Sequence, residues 1–400
     1  FLEAAPNQGM RSASRALFRL AIRLFSLPLI VALNAALKLL FPGRVVRITV
    51  MDPRLFGHQS LEPEVFWNDW QSALECGSRD FWFCCLGKKS SASNPYLWQL
   101  RRDKFPVLPS WFVTSIAIWG RRFDFSQIQL LDPSITRLDF LTSRSPTLPS
   151  TSAMERRRAD IRAHLAEPER PYVVLTIREY DSSGTNHELR NRRINDFVPA
   201  IKKLIELGYN VIRLTARTGD LLSLDNQHLL DWQVREMGQT GDELAIVSGA
   251  SFVVSTTTGG DCLALAYRKP VLYIDSARLF FVFAATELAT FQMPIYVDER
   301  TGLRLNLKQL LERGLGWVGE QRAFTDAGVK VINSTPEQIR DYVDEYYRLK
   351  LWSTDAVGSP DELKWREMFL MHHREQIRDR FGSLRARMLP STKREMLRGT

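Results

Sequence analysis

Apolar residues occur along the chain in short runs that alternate with helical patterns. Residues 173–177 form a continuous apolar run rich in β-branched side chains, typical of a strand buried on both faces in a parallel sheet. The run stops at Arg178 and Glu179, and a long polar loop precedes the helical spacing that resumes at Phe197. Comparable runs begin at residues 44, 80, 210, 252 and 271, and helical patterns cover residues 197–207, 241–249 and 262–267. This alternation of strand and helix predicts an α/β fold.

Residues 11–43 have a different pattern from the rest of the chain. Arginine recurs every four positions, at 11, 15, 19 and 23, and an apolar stretch follows. The charge-free core of that stretch, residues 24–37, is shorter than the roughly 20 residues of a membrane-spanning helix. Because the arginines share one helical face beside apolar residues, the pattern favours an amphipathic helix in the interface of an anionic membrane. A helix packed on the protein's own core is the alternative.

Changes in composition along the chain indicate the boundaries between domains. Residues 142–153 are rich in Pro, Ser and Thr and predict a linker. We therefore expect an N-terminal amphipathic segment (1–43), a Rossmann-like domain (44–141), a second Rossmann-like domain (154–350), and a C-terminal helix with a basic tail (351–400). Four hundred residues, 44% of them hydrophobic, suffice for two domains that each have a core.

The net charge of +9 favours anionic partners, such as phosphate-bearing substrates or an anionic membrane surface. The basic residues do not form one tract, and neither zinc-finger spacing nor an RNP-type aromatic motif occurs, so nucleic acid is not a predicted partner. The four cysteines lack C-x-x-C spacing, which indicates buried free thiols in a reducing cytoplasm.

One loop has the composition of an anion site. It lies between a predicted strand and a helix N-terminus, where unpaired N–H groups and the helix dipole favour negative charge. Its residues are Ser255, Thr256, Thr257, Thr258, Gly259 and Gly260. The loop matches neither a Walker motif nor G-x-G-x-x-G, so ATP hydrolysis and NAD binding are not predicted. Asp261, which follows, is interpreted as a helix-capping acid or as an acceptor for a ribose or sugar hydroxyl.

Three arginines are expected near this loop. Arg178, Arg190 and Arg213 follow or end strands of one parallel sheet, whose carboxyl ends meet at one edge. Arginine binds a diphosphate bidentately, so the group favours a phosphate ligand.

Gly57 and His58 are predicted in the polar loop after the first strand, before a helix that opens at Ser60 or Glu62. A histidine there suits acid/base chemistry or the holding of a phosphate or hydroxyl. A histidine in an ordinary surface loop is the alternative.

The order of these motifs resembles a family of bacterial GT-B-like glycosyltransferases from surface-polysaccharide clusters. The similar stretches are residues 57–58, 176–179, 190–191, 207–213, 231–232, 255–260, 269–271 and 333–339. The chain departs from the family pattern at two positions. Thr176 stands where the family has a histidine, and Glu179 replaces an aspartate.

The resemblance implies two Rossmann-like domains that face a cleft, with a nucleotide-sugar held mainly by the C-terminal domain. It assigns donor binding to the arginines named above, to Asn191 and to residues 255–261. Such enzymes need no metal or cofactor, because arginines and a helix N-terminus neutralise the leaving diphosphate. The implied base is His58, with Glu179 second. The implied acceptor is a glycan or a lipid-linked precursor of a cell-surface polysaccharide, used in the cytoplasm or on the inner face of the cell membrane.

Two other functions remain open at this point. The absent histidine at Thr176 favours a non-catalytic, membrane-associated assembly protein that keeps the fold. A phosphotransferase is the third option, and a magnesium requirement would distinguish it.

Overall fold

The structure is a computed structural model. It describes residues 25–120, 123, 125–131, 139–179, 188–215, 221–233, 241–277, 286–352, 363–368 and 387–398. The arginines at 11, 15, 19 and 23 therefore lie outside the described residues, as does most of the polar loop that follows Glu179.

The first unit contains a small parallel sheet with the strand order β2-β1-β3. The sheet begins with an apolar strand whose inward side chains are buried. Its strands are β1 (Val46–Val50), β2 (Phe81–Cys85) and β3 (Ile128–Leu131), and its helices are α1 (residues 25–40), α2 (Phe56–Glu75), α3 (Pro95–Lys104) and α4 (Ser110–Trp119). Helix α3 begins where the Asn94 side chain accepts a hydrogen bond from the Leu97 N–H and Pro95 occupies the first turn.

The second unit is built on a seven-stranded sheet with the order β12-β9-β8-β7-β4-β5-β6, in which every pairing is parallel. Its strands are β4 (Tyr172–Thr176), β5 (Asn210–Thr215), β6 (Leu229–Gln233), β7 (Phe252–Ser255), β8 (Val271–Tyr273), β9 (Ala289–Phe291) and β12 (Arg387–Met388). A separate antiparallel pair is formed by β10 (Ile295–Asp298) and β11 (Val329–Ile332). All five residues of the central strand β4 are buried, as its apolar run requires.

Helices cover both faces of this sheet. They are α5 (Ser152–Arg162), α6 (Val198–Glu206), α7 (Asp242–Gly249), α8 (Gly259–Ala266), α9 (Leu307–Glu312), α10 (Gln321–Asp326), α11 (Pro336–Trp352), α12 (residues 363–368) and α13 (Pro390–Met396). The prediction of an α/β fold with two Rossmann-like units is confirmed. Helix α8 begins at Gly259, three residues before the predicted start, because Thr258 and Asp261 form a capping box around its first turn.

Helix α1 has two different apolar faces. Ile30 and Leu37 are buried against Val113 and Ile116 of α4, so one face belongs to the core of the first unit. The opposite face exposes large apolar side chains, which are Phe25, Leu29, Leu39 and Leu40. Among the residues that the structure describes, no helix combines the length and the apolar content needed to span a bilayer.

A buried ion network connects the two units. Glu64 of α2 is fully buried and accepts hydrogen bonds from Arg101 of α3 and from Arg268, which follows α8 in the second unit, both at 2.9 Å. The Thr147 N–H, from the stretch between the units, donates to the same carboxylate at 3.1 Å. Burial lowers the pKa of Arg101, and the negative charge of Glu64 opposes that effect. The network therefore fixes α2 against the second unit.

Replacing Glu64 should destabilise the protein strongly. In Glu64→Gln, two buried guanidinium groups lose their counter-charge, and breaking a buried pair in this way costs about 3 kcal/mol or more. Glu75→Gln is the matched control, because Glu75 lies on the same helix and pairs with Arg144 in an exposed position. Urea unfolding followed by circular dichroism should show a large fall of the midpoint for the first variant and almost none for the second. Equal midpoints would contradict the role given to the network.

Candidate active site

The first turns of α2 and α8 meet at the junction of the two units. A β-carbon added to Gly57 would lie 2.9 Å from the sulfur of Cys262, and one added to Gly259 would lie 3.1 Å from the backbone nitrogen of Gly57. Neither position has room for a larger side chain without displacement of a neighbour. The helix N-terminus that carries His58 therefore contacts the helix N-terminus that follows the predicted anion loop.

His58 is paired with a carboxylate that sequence reasoning missed. Its Nδ1 lies 2.5 Å from Oε1 of Glu62, four residues along the same helix face. The other carboxylate oxygen, Oε2, accepts the N–H of Asp52 at 3.0 Å. The His58 side chain is 36% exposed and that of Glu62 is 6% exposed. The predicted loop position of His58 is wrong, because α2 already begins at Phe56. The four-residue spacing of a histidine and a glutamate was the signal that could have identified the pair.

The Asp52 carboxylate is a second negative group in this region. Hydrogen bonds and the charge of Arg54 lower its pKa to about 2, although partial burial opposes them, and the charge of His58 adds a smaller effect. Asp52 is therefore ionised throughout the neutral range, with Arg54 as its ion-pair partner.

Local hydrogen bonds between residues two positions apart hold the conformation of the loop from Ser255 to Gly260. The Gly260 N–H donates to Oγ1 of Thr258 at 3.1 Å, and the Thr257 N–H donates to Oγ of Ser255 at 3.1 Å. Thr257 adopts a φ of 67°, in the left-handed region that side chains with a branched β-carbon avoid. A strained residue of this kind occurs most often at functional sites.

Asp261 is the buried acid of the loop. Its Oδ2 accepts hydrogen bonds from the Ser255 hydroxyl at 2.8 Å and from the Thr258 N–H at 2.7 Å. Burial raises its pKa to about 6, while these hydrogen bonds and the positive charge of Arg190 oppose the rise. The capping interpretation of Asp261 agrees with this geometry.

Two of the three predicted arginines lie beside the loop. The backbone N–H of Arg178 donates to Oγ1 of Thr256 at 2.8 Å, which ties the end of β4 to the loop. The Nη1 group of Arg190 donates to the carbonyl of Thr257 at 3.1 Å. The guanidinium of Arg190 thus lies at the strained residue of the loop.

The third arginine has a different setting. Arg213 is 1% exposed, and its guanidinium binds Glu179 and, at 2.8 Å, Asp231. The structure therefore pairs the second candidate base with this arginine. Asn191 is also buried, and its carbonyl accepts a hydrogen bond from Nη1 of Arg192 at 2.6 Å.

A second buried ion pair supports the same edge of the sheet. Nε of Arg192 donates to Asp275 at 2.9 Å, and the Ser334 hydroxyl donates to the same carboxylate at 2.6 Å. Sequence reasoning did not identify this network, because the three residues are distant in the chain. Within the described ranges, no group of three His, Cys, Asp or Glu side chains has the arrangement of metal ligands.

No protein-family model and no curated protein matches the chain. Solved structures with similar chain paths include ADP-heptose LPS heptosyltransferase II of E. coli, at 13% identity and a TM-score of 0.43, covering 76% of this chain and 99% of that one. A glycosyl transferase of family 9 from Veillonella parvula has 10% identity and a TM-score of 0.40, with 71% and 96% covered. The E. coli heptosyltransferase WaaC, solved with ADP-2-deoxy-2-fluoro heptose, has 15% identity and a TM-score of 0.31, with 57% and 88% covered. Identities and scores this low say nothing about the substrate of this chain.

The raised pKa of Asp261 predicts a stability effect that depends on pH. A native pKa of about 6, against an ordinary value of 3.8, means that the folded state binds more protons than the unfolded state between these values, so stability falls as pH rises through this window. Asp261→Asn keeps an acceptor for the capping N–H but removes the charge. The free energy of unfolding of the variant relative to wild type should therefore rise by roughly 2 kcal/mol between pH 4 and pH 7. Urea unfolding at several pH values measures this difference, and a difference that does not change with pH would contradict the burial of an ionisable carboxyl.

Proposed function

We propose that the protein is a glycosyltransferase that moves a sugar from a nucleotide-activated donor to a hydroxyl of a glycan or lipid-linked acceptor in cell-surface polysaccharide biosynthesis. The observation that carries the proposal is the junction of α2 and α8. There a His–Glu pair from the first unit adjoins an arginine-flanked loop of the second unit. An acid/base group and an anion site in contact are the two parts that such a transfer needs.

The donor diphosphate is proposed to lie at the first turn of α8. The helix dipole favours negative charge there, and Arg190 supplies a guanidinium at the carbonyl of Thr257. Arg178 follows the end of β4 beside the same loop. These groups neutralise the charge that develops on the departing diphosphate, so the proposed reaction requires neither a metal nor a cofactor.

The acceptor hydroxyl is proposed to transfer its proton to His58. As the proton moves to the imidazole, the acceptor oxygen forms a bond to the anomeric carbon of the donor sugar. The bond from that carbon to the diphosphate oxygen breaks, and its electron pair leaves with the diphosphate. Glu179 is the second candidate base, but its carboxylate is already bound by the guanidinium of Arg213.

The reaction is proposed to take place in the cytoplasm, at the inner face of the cell membrane. The exposed face of α1 supports this location, because Phe25, Leu29, Leu39 and Leu40 project from the protein. The arginines that precede the helix in sequence suit an anionic leaflet. The same apolar face also favours the second candidate function, a membrane-associated assembly protein that has lost activity.

Nucleotide binding distinguishes the two functions. Thermal shifts with ADP, UDP, GDP, CDP, dTDP and CMP, each with EDTA or with magnesium, should reveal one stabilising nucleotide whose effect does not depend on the metal. Arg190→Ala should raise the dissociation constant of that nucleotide about tenfold or more, because a charge-assisted hydrogen bond is lost. Arg193→Ala is the matched control, since Arg193 is an exposed arginine of the same segment. Stabilisation by none of the nucleotides would favour the assembly protein, and stabilisation only with magnesium would favour a phosphotransferase.

Membrane attachment has its own test. We expect the protein to co-sediment with vesicles that contain phosphatidylglycerol, and less at high salt. Replacing both Leu39 and Leu40 with Glu should weaken this binding about tenfold or more, because two leucines no longer enter the lipid. Leu221→Glu, at an equally exposed leucine elsewhere, should have no effect. Equal binding by all three proteins would contradict a role for α1.

A further inference from the structure

We propose that Glu62 is the positioning residue of a histidine–carboxylate pair, which holds the His58 ring in one tautomer and stabilises its protonated form. The identity of the proton donor, an acceptor hydroxyl, rests on the proposed function. The pairing itself rests on geometry alone.

The surroundings of Glu62 are unusual for a buried carboxylate. Glu64, two residues along the helix, is also buried and binds two guanidinium groups. Glu62 instead contacts the His58 imidazole and the Asp52 N–H, and in the part of the chain that the structure describes it contacts neither arginine nor lysine. A buried carboxylate without a positive partner is strongly destabilising. The imidazole is therefore the cation available to Glu62, which favours the protonated ring.

The hydrogen bonds also fix the direction of the ring. Oε2 of Glu62 is held by the Asp52 N–H, so Oε1 is the oxygen that faces Nδ1 of His58. A carboxylate accepts hydrogen bonds, so the proton of the neutral ring lies on Nδ1 and the basic lone pair lies on Nε2. Nε2 is thus the atom that receives the proton, and Glu62 balances the positive charge that results.

Other charged groups near the pair do not take over this role. The Asp52 carboxylate is already bound by Arg54, at 2.9 and 2.8 Å. On the side of α8, the Cys262 thiol stays protonated because burial and the charge of Asp261 raise its pKa well above the usual range. Asp261 is close to Arg190, whose positive charge offsets its own. Glu62 is the carboxylate in direct contact with the ring.

Nuclear magnetic resonance of the histidine side chains tests the pair without any assay of activity. His58 is assigned by the signal that His58→Ala removes. In the wild-type protein the neutral ring should carry its proton on Nδ1. In Glu62→Gln we expect His58 to lose its proton at a pH lower by roughly one unit or more, because the partly exposed ring loses its carboxylate partner. Asp52→Asn is the matched control and should cause a smaller change, since Arg54 already balances Asp52. His164, an exposed histidine, should titrate identically in every variant.

The outcomes separate the pair from the proposed function. An unchanged His58 titration in Glu62→Gln, or a wild-type ring protonated on Nε2, would overturn the role of Glu62. The tautomer decides this even if the variant fails to fold. If the titration shifts as expected but no nucleotide binds, the pair stands and the glycosyltransferase proposal fails. If transfer activity is present, the acidic limb of its kcat/KM profile should move with the His58 titration, while nucleotide binding stays constant. Activity with an unmoved limb would refute the pair and leave the function intact.

Discussion

A single buried carboxylate joins the two halves of this molecule. Glu64 takes one guanidinium from α3 and another from the residue that follows α8, so the ion network crosses the boundary between the sheets. Removing charges from water is unfavourable, and a buried network is stable only when every member keeps its partners. The position of α2 on the second unit therefore depends on this contact, and so does the meeting of the two helix ends at Gly57 and Gly259.

Helix α2 carries both the structural anchor Glu64 and the proposed base His58 with its partner Glu62. Glu64 pairs with arginines whose charge is permanent, whereas Glu62 pairs with an imidazole whose charge changes in the neutral range. A guanidinium partner gives a fixed ion pair, and an imidazole partner gives a pair that accepts and releases a proton. The partner of each glutamate, and not the carboxylate itself, thus determines whether the ion pair is permanent or can exchange a proton.

The sequence predicted the parts of the molecule that depend on local patterns. The apolar runs located strands β1, β2, β4, β5, β7 and β8, and the hydroxyl- and glycine-rich loop was placed correctly between β7 and α8. The ion pairs of Glu64 and Arg213 were not predicted, because tertiary packing brings their partners together from distant parts of the chain. The pair of His58 and Glu62 was missed because His58 was assigned to a loop, although both residues lie on one face of α2. Strand-end position alone did not show that Arg213 turns toward two carboxylates. Polar residues near a sheet edge can be located from sequence, but their pairing depends on the fold.

Because Glu64 and His58 lie close together on α2, a small rotation of the helix about Glu64 would move His58. Six residues separate His58 from Glu64, which is about 9 Å along the helix axis. A rotation of α2 by 10° about the anchored carboxylate would carry the imidazole sideways by roughly 1.5 Å, a displacement large enough to disrupt proton transfer. For the proposed transfer at this junction, substitutions around Thr147 or Arg268 are expected to alter turnover more than affinity for the nucleotide. In directed evolution of the proposed activity, substitutions that change the rate would therefore be expected around Glu64 as well as beside His58.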